Sequence, residues 1–495
     1  MKAGITTLTE GIGGAVAGFV RDAAPPPRMV GGSSLWPVRY RIAPGITLIG
    51  ARLFVIDMRT SSRHRPVPAD DSFEPLKVVE LEISEPIGQL AGSAGAGRSP
   101  DYRRARVLVR LHGCPLGWLE LDLSRGPVSS AAIRSAVERE LGATVEAHLA
   151  ADGLDPSQLA GQPSSGCAAR REVEDEVPLA TVVVCTIDRP EADLDSCLAS
   201  LGATDYPLFE VLVVDNSPDR PRTAEIVAAR SAVDPRVRMV REPRTGLSHA
   251  RNAGLTFARG DIVAFTDDDA RVDPGWLSAI VAEFTSDARI ACVTGPVATA
   301  EIETADQAWF DAFGGFDKGY QRRVFDLADN RDPSPAYPYQ LGLFGTGANM
   351  AFRRSMLPDE WRFDVALGAG SVTQGGEDQD AFLDVLFRGH RLVYNPLALV
   401  WHRHRSDHDG LRRQMYQFGT GVGAVITKRL LGDGSHRGEL VRVVPAGVRH
   451  LFRPGSRTAT GSDYPPDLRR AELAGLVASP FVYLRSRLKV AWSTA

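Results

Sequence analysis

The chain has 495 residues, 43% of them apolar and 24% charged, with a net charge of −4. These values suit a globular protein of about three domains and exclude a mainly disordered, collagen-like or multiply membrane-spanning chain. They also lack the basic excess of a protein built to coat nucleic acid, so no nucleic-acid partner is expected.

Residues 1–35 are rich in Gly, Ala and Pro and read as a mobile N-terminal segment. The short apolar stretch Gly11–Val20 has no strongly basic flank, so a signal peptide is not expected. No uninterrupted apolar run of about 18 residues occurs, so no membrane span is expected. The cysteines at 114, 167, 185, 197 and 292 have no C-x-x-C spacing. That pattern points to a reducing compartment, without a zinc finger or disulfide framework. A cytoplasmic chain follows, one that can still touch the inner face of a membrane.

Residues 36–150 read as a β-rich accessory domain. Strand-like runs cover Val38–Ile42, Ala51–Ile56, Lys77–Ile83, Arg106–Leu111 and Trp118–Leu123, with a low-complexity loop at Ala91–Pro100 and helical spacing over Ala131–Leu149. Residues 151–177 are polar, with Gly, Pro and Ser, and suit a linker.

From 178 the texture changes. Short β-branched runs at Ala180–Thr186, Glu210–Val214, Val237–Arg241 and Asp261–Thr266 alternate with helical spacing at Glu191–Leu201, Thr223–Ser231, Leu247–Ala258 and Pro274–Phe284. That alternation predicts βαβ units and a mainly parallel sheet. Polar residues gather after the strands' carboxyl ends, where open α/β sheets bind ligands. Phosphate-loop glycines are not found: GIGGAVAG near the N-terminus is neither G-x-G-x-x-G nor followed by G-K-[ST].

Four segments carry chemistry. Asp267-Asp268-Asp269 closes an apolar run. On an extended strand Asp267 and Asp269 point the same way and Asp268 the other. Paired carboxylates suit a hard divalent cation such as Mg²⁺ or Mn²⁺. An acidic turn capping the next helix would look the same in isolation. Gly375-Gly376-Glu377-Asp378-Gln379-Asp380 precedes a helix at Ala381–Phe387. Acids there can simply cap the helix, or one can act as a general base on an acceptor hydroxyl. His402, after the apolar run Leu397–Val400, stands where a third metal ligand could sit, with His404 and His408 as weaker candidates. In Gly246–Gly254, Arg251 and Asn252 could face a phosphate, or the helix could only pack on the sheet.

Together these residues resemble the family 2 glycosyltransferases over about 178–405. The resemblance rests on Cys185-Thr186-Ile187-Asp188-Arg189, on Asp215-Asn216-Ser217 ending the second strand, and on Arg244-Thr245-Gly246 with Ala250-Arg251-Asn252-Ala253-Gly254. It continues with the Asp-rich run, Gly347-Ala348-Asn349-Met350, Glu377-Asp378 and His402. It implies the GT-A fold, a mainly parallel sheet flanked by helices, here with the smaller β-rich N-terminal domain and a helical, basic extension at 406–495. It further implies a nucleotide-sugar donor (UDP-, dTDP- or GDP-linked) held by Thr186, Asp188, Arg189, Asp215, Arg251, Asn252, Asp267 and Asp268. A divalent metal would sit on Asp267 and Asp269 with His402 as an added ligand. Asp378 would be the catalytic base, with Glu377 the alternative, and the reaction would invert the anomeric carbon.

A Q-x-x-R-W motif is missing, Arg413-Gln414-Met415-Tyr416-Gln417 standing where it might occur, so non-processive transfer is expected. The aromatics of Ala305–Tyr339 (Trp309, Phe310, Phe313, Phe316, Tyr320) read either as an acceptor-side surface or as core. Other readings are a sugar nucleotidyltransferase, disfavoured because Thr186–Pro190 has neither Lys nor a Gly-rich loop, and an inactive nucleotide-sugar-binding module. The acceptor cannot be named. Residues 401–495 carry a net +9 against −13 for the rest. Apolar stripes in Leu411–Leu431 and Phe481–Val490 with basic neighbours suit either packing on the transferase domain or a helix lying on an anionic bilayer.

Overall fold

A computed structural model describes residues 73–92, 102–155, 167, 177–217, 219–340, 342–432, a few positions between 437 and 443, and 465–494. The segment expected at 1–35, the strands expected at Val38–Ile42 and Ala51–Ile56, and most of the expected linker and of the Ala91–Pro100 loop lie outside the described residues.

The chain first forms β1 (Leu76–Glu82), β2 (Arg104–Leu111), β3 (Cys114–Asp122) and α1 (Ser130–Ala151). β2 lies between β1, which is parallel to it, and β3, which is antiparallel. One face of this sheet packs under α1 through Val107, Val109, Leu119, Leu121, Ile133, Val137 and Leu141. The fully buried alternate positions of β2 and the single apolar stripe of α1 explain why a small sheet and one helix suffice for a core.

The larger part runs β4 (Ala180–Thr186), α2 (Glu191–Gly202), β5 (Phe209–Asp215), α3 (Arg222–Ser231), β6 (Val237–Arg241), α4 (Leu247–Phe257), β7 (Ile262–Asp267), β8 (Ala270–Val272) and α5 (Trp276–Ser286). It continues with β9 (Ile290–Thr294), β10 (Val297–Thr299), α6 (Ala305–Trp309), β11 (Arg323–Phe325), β12 (Asn349–Arg353), α7 (Glu377–Phe387), β13 (Arg391–Tyr394) and β14 (Val400–His402). Two long helices close it, α8 (His408–Leu431) and α9 (Pro466–Thr494). The architecture is mixed α/β. Eight strands form one sheet in the order β11-β13-β9-β12-β7-β4-β5-β6, parallel except at β11 and β12. Val182 and Val184 face one hydrophobic layer and Val183 the other, so both faces are covered, as continuous β-branched runs require.

Two expectations change in detail. The Asp-rich run is not one extended strand: β7 ends at Asp267, Asp268 and Asp269 turn, and β8 leaves in a second sheet. That sheet has the order β10-β14-β8, and the apolar run at 397–400 contributes to it only from Val400. The aromatics of 305–339 are mostly core: Trp309 and Phe310 are buried, and Phe310 and Phe316 pack on Phe418 of α8.

The apolar stripe of α8 is likewise covered, with Leu411, Met415, Ala424 and Val425 buried. α8 and α9 cross at backbone distance. A Cβ built on Gly419 would sit 2.0 Å from the Glu472 carbonyl oxygen, and one on Gly475 would sit 2.2 Å from that of Tyr416. Small residues here are a steric requirement, because backbone cannot yield as a side-chain tip can. Gly475→Ala is therefore expected to cost about 1–3 kcal/mol through overpacking. Urea unfolding with the far-UV signal as readout checks this; an unchanged midpoint would show that the helices do not touch there.

Candidate functional site

The site forms where three parallel strands end together. In register, Thr186 of β4 pairs with Asp215 of β5, and Cys185 pairs with Asp267 of β7. The three strand ends thus lie in one row, with Thr186 and Asp215 level with each other and Asp267 one position behind them, level with Cys185 and so directed to the other face of the sheet. The antiparallel pairing of β14 with β8 sets His402 opposite Ala270, next to Asp269. His402 Nε2 lies 3.0 Å from Asp269 Oδ1 and 4.0 Å from Asp267 Oδ2. The three residues offer ligand atoms that all lie within 4.8 Å of one another.

Asp268 turns away to the guanidinium of Arg189, whose Nε lies 3.0 Å from Asp268 Oδ1 and whose Nη2 lies 3.2 Å from Asp269 Oδ2. Electrostatics separate the three acids. Burial and then the neighbouring Asp269 raise Asp267. Burial pushes Asp268 up to about 6 despite the Arg189 charge. Burial would raise Asp269 too, yet the His402 contact and charge outweigh it and hold Asp269 below the usual carboxylate range. Burial would lower His402, but the contact and charges of Asp269 and Asp267 prevail and raise it. His404 lies behind, against Phe310 and Phe316, and burial drives it down to about 3, which leaves it neutral and part of the core. His408 is elsewhere, at the start of α8, bridging Asp306 of α6 and Asp467 of α9.

On the other side of the row, α7 begins at Glu377 after Gly376, whose φ of +95° and close approach to the Gly421 carbonyl oxygen favour a residue without Cβ. Glu377 and Asp378 fall in its first turn and diverge. Glu377 is buried and its Oε1 accepts from Arg251 Nη1 at 2.7 Å. Burial raises Glu377 to about 7, with Arg251 opposing and Asp378 adding to the rise. Asp378 Oδ2 accepts from the Gly347 N–H at 2.7 Å. Arg251 Nη2 in turn donates to the Gly347 carbonyl oxygen at 3.1 Å. The Gly347 peptide therefore ties the two acids together, a part that the Gly-Ala-Asn motif signalled only as a strand. Asn349 of the same motif clips β12 to the carbonyl oxygens of Pro296 and Ala398.

The remaining predicted residues are placed as follows. Asp215 is fully buried; Oδ1 accepts from the Ser217 N–H at 3.0 Å, while Oδ2 has no hydrogen-bond partner within the protein. A buried carboxylate oxygen left so is costly without a donor from a ligand. Asp188 has a φ of +47° and is paired with Arg220 and Arg222. Asn252 spends both ends of its amide on the Phe363 backbone, and Arg251 is spent on Glu377 and Gly347, so neither presents a free donor to a phosphate.

Residues 181–360 match the family described as Glycosyl transferase family 2. The chain carries a family 2 glycosyltransferase domain. Over 326 residues it is 26% identical to the pre-mycofactocin glycosyltransferase of Mycobacterium tuberculosis, covering 64% of this chain and 61% of the relative. Over 221 residues it is 28% identical to the succinoglycan biosynthesis protein ExoM of Rhizobium meliloti, covering 44% of this chain and 64% of that one. It thus spans less than two thirds of the length of these relatives. Among solved structures it is similar, at 18% identity and a TM-score of 0.41, to the mannosyltransferase PcManGT from Pyrobaculum calidifontis in complex with GDP-Man and Mn²⁺, covering 66% of this chain and 83% of that one. Glu377, Asp378 and His402 lie beyond the residues that the family matches.

Arg251 and Glu377 form a buried pair. Glu377→Gln removes the carboxylate that pairs with the buried guanidinium, which is expected to cost about 3–5 kcal/mol. Chemical denaturation followed by tryptophan fluorescence measures it, and a loss below about 1 kcal/mol would remove the pair from the structural skeleton of the site.

Proposed function

We propose that residues 178–405 form a glycosyltransferase domain of GT-A type that transfers a sugar, with inversion and non-processively, from a nucleoside diphosphate donor to an acceptor hydroxyl. The observation that carries this reading is the convergence of Asp267, Asp269 and His402 at the carboxyl end of β7, beside the row that holds Asp215. Two carboxylates and an imidazole are a donor set that a divalent cation such as Mg²⁺ or Mn²⁺ accepts, and burial, with the neighbouring Asp269 adding to it, raises Asp267, a penalty on its charged form that a cation would relieve. When bound there, the metal would supply positive charge to the diphosphate leaving group. The donor nucleoside would satisfy Asp215 Oδ2, and Arg189 and Thr186 would line its phosphates and ribose. Asp378 would take the acceptor proton: it stands in the first turn of α7, oriented by the Gly347 N–H, whereas Glu377 is held by Arg251.

Transfer should require a divalent cation, stop in EDTA and be lost in Asp269→Ala. Asp378→Asn should retain donor affinity while transfer falls about 10²–10⁴-fold, the usual worth of general acid–base catalysis. Release of nucleoside diphosphate from a panel of donors, with and without metal, is the measurement. Full turnover in EDTA would remove the metal assignment, and a near-normal Asp378→Asn with an inactive, folded Glu377→Gln would move the base to Glu377.

We further infer that the protein works at the cytoplasmic face of a membrane, against anionic lipid. Among the described residues no helix is long and apolar enough to cross a bilayer. Yet α9 leaves Val477, Phe481, Leu484, Leu488 and Trp492 exposed, the last at 80%. Their spacing puts them in one row along the helix, and Arg485, Arg487 and Lys489 fall on its two sides. An apolar row between basic side chains matches the headgroup boundary of an anionic bilayer and favours a lipid-linked acceptor. The full chain should co-sediment with anionic but not neutral vesicles, less so as salt rises, and Phe481→Ser with Trp492→Ser should release it. Absence of binding to anionic vesicles at low salt would leave a soluble acceptor.

A further inference from the structure

A second cluster of metal-ligating side chains lies in the N-terminal module and shares no residue with the site above. His112, His148, Asp152 and Cys167 offer ligand atoms that all lie within 4.8 Å of one another. They come from three places: the β2–β3 turn, the last turn and C-cap of α1, and Cys167 beyond it in the chain. His148 and Asp152 are four apart and so share one helix face. The His112 and Asp152 side chains are 2% and 1% exposed, Cys167 is buried, and His148 is 10% exposed.

The contacts point at one centre. His112 Nδ1 lies 2.8 Å from Asp152 Oδ2, and His148 Nε2 lies 3.3 Å from the same oxygen. Cys167 Sγ lies 3.3 Å from that same His148 Nε2. A hydrolytic Cys–His–Asp relay needs the acid and the thiol on opposite ring nitrogens. Here both meet Nε2, and one proton cannot serve both. A cation between the four atoms serves all of them. Ligand atoms around a tetrahedral zinc stand about 3–4 Å apart, given bonds of about 2.0–2.3 Å, and the spacings of 2.8, 3.3 and 3.3 Å fall near that range.

The backbone supports the same reading. His112 and Gly113 have φ of +54° and +77° in the tight turn between β2 and β3. A histidine in left-handed conformation is held there by Glu82, whose carboxylate accepts from the N–H groups of His112 at 3.1 Å and Gly113 at 2.8 Å. The turn thus delivers the imidazole to the end of α1. Cys114 Sγ stands 3.4 Å from Cys167 Sγ, a further soft donor beside the cluster and too far for a disulfide bond.

We propose that His112, His148, Asp152 and Cys167 bind a structural zinc ion that ties the β2–β3 turn and the end of α1 to Cys167. Mixed nitrogen, sulfur and oxygen donors in a closed, buried site are the chemistry of structural zinc. On binding, the Cys167 thiol gives up its proton to solvent.

The test uses the full chain, purified under reductant without chelator. About one equivalent of zinc should remain after gel filtration in metal-free buffer, in the wild type and in Asp269→Ala, the latter lacking the cation site at β7. Replacement by Co²⁺ should give thiolate-to-cobalt charge-transfer absorption, which Asp267, Asp269 and His402 cannot produce. Cys167→Ser should remove most of that band. His112→Asn, which tolerates the left-handed backbone, should weaken zinc binding by about tenfold or more with an unchanged far-UV spectrum. No retained zinc together with no charge-transfer band, or a Cys114–Cys167 disulfide in the reduced preparation, would overturn the proposal.

Discussion

The constraint on which the candidate site depends is the crowding of acids at the buried end of β7. Unit charges about 4 Å apart interact by about 4 kcal/mol even at an effective dielectric near 20. The fold spreads that repulsion over fixed partners. Asp268 is turned out to Arg189, Asp269 is held by His402, and Asp267 keeps only the charges of Arg251, His402 and Arg189 around it, with no close ion pair of its own among the described residues. Breaking β7 into a turn before β8 separates the three carboxylates, and the pairing of β8 with β14 brings the imidazole to them. Each neighbouring element is thereby committed: α4 must place Arg251, and α7 must start where Glu377 can meet it.

Much of this was legible in the sequence because period and punctuation agree. The β-branched runs at 180–186 and 237–241 form strands with those bounds, and the helical spacing from 191 and 247 yields α2 and α4. The row of strand ends was readable as well, since parallel strands with short connections bring their carboxyl ends together. What could not be read was how polar groups are spent. Nothing local shows that Asn252 closes on the Phe363 backbone, or that Arg251 reaches Glu377 rather than a ligand, because both partners lie more than 100 residues away.

The two C-terminal stripes show the same limit. The spacing of Met415 and Val425 and that of Phe481 and Leu484 look alike in sequence, yet one set is covered and the other faces outward. The difference comes from the glycines at 419 and 475, which let α8 and α9 meet backbone to backbone and so decide which faces are left over. Cysteine spacing was equally uninformative about the module. Donors delivered by a turn, a helix end and a separate segment form no recognisable string.

The outer face of the small N-terminal sheet has a consequence for how the protein can be cut. Leu108 and Trp118 pack against Ala298, Leu399 and Trp401, with the two indoles edge to face at 6.1 Å. Arg110 reaches Asp273, Arg106 reaches Asp311, and the Trp118 indole N–H donates to Asp317. Trp401 is the residue before His402. A fragment beginning at residue 177 would therefore bare an apolar surface on the strand that carries the imidazole, and strip two acids of their arginines. The transferase unit has no clean seam at its amino-terminal side. The module is part of the wall behind the strand that carries His402, and its loss would be felt first as stickiness and then as slack in the position of that histidine.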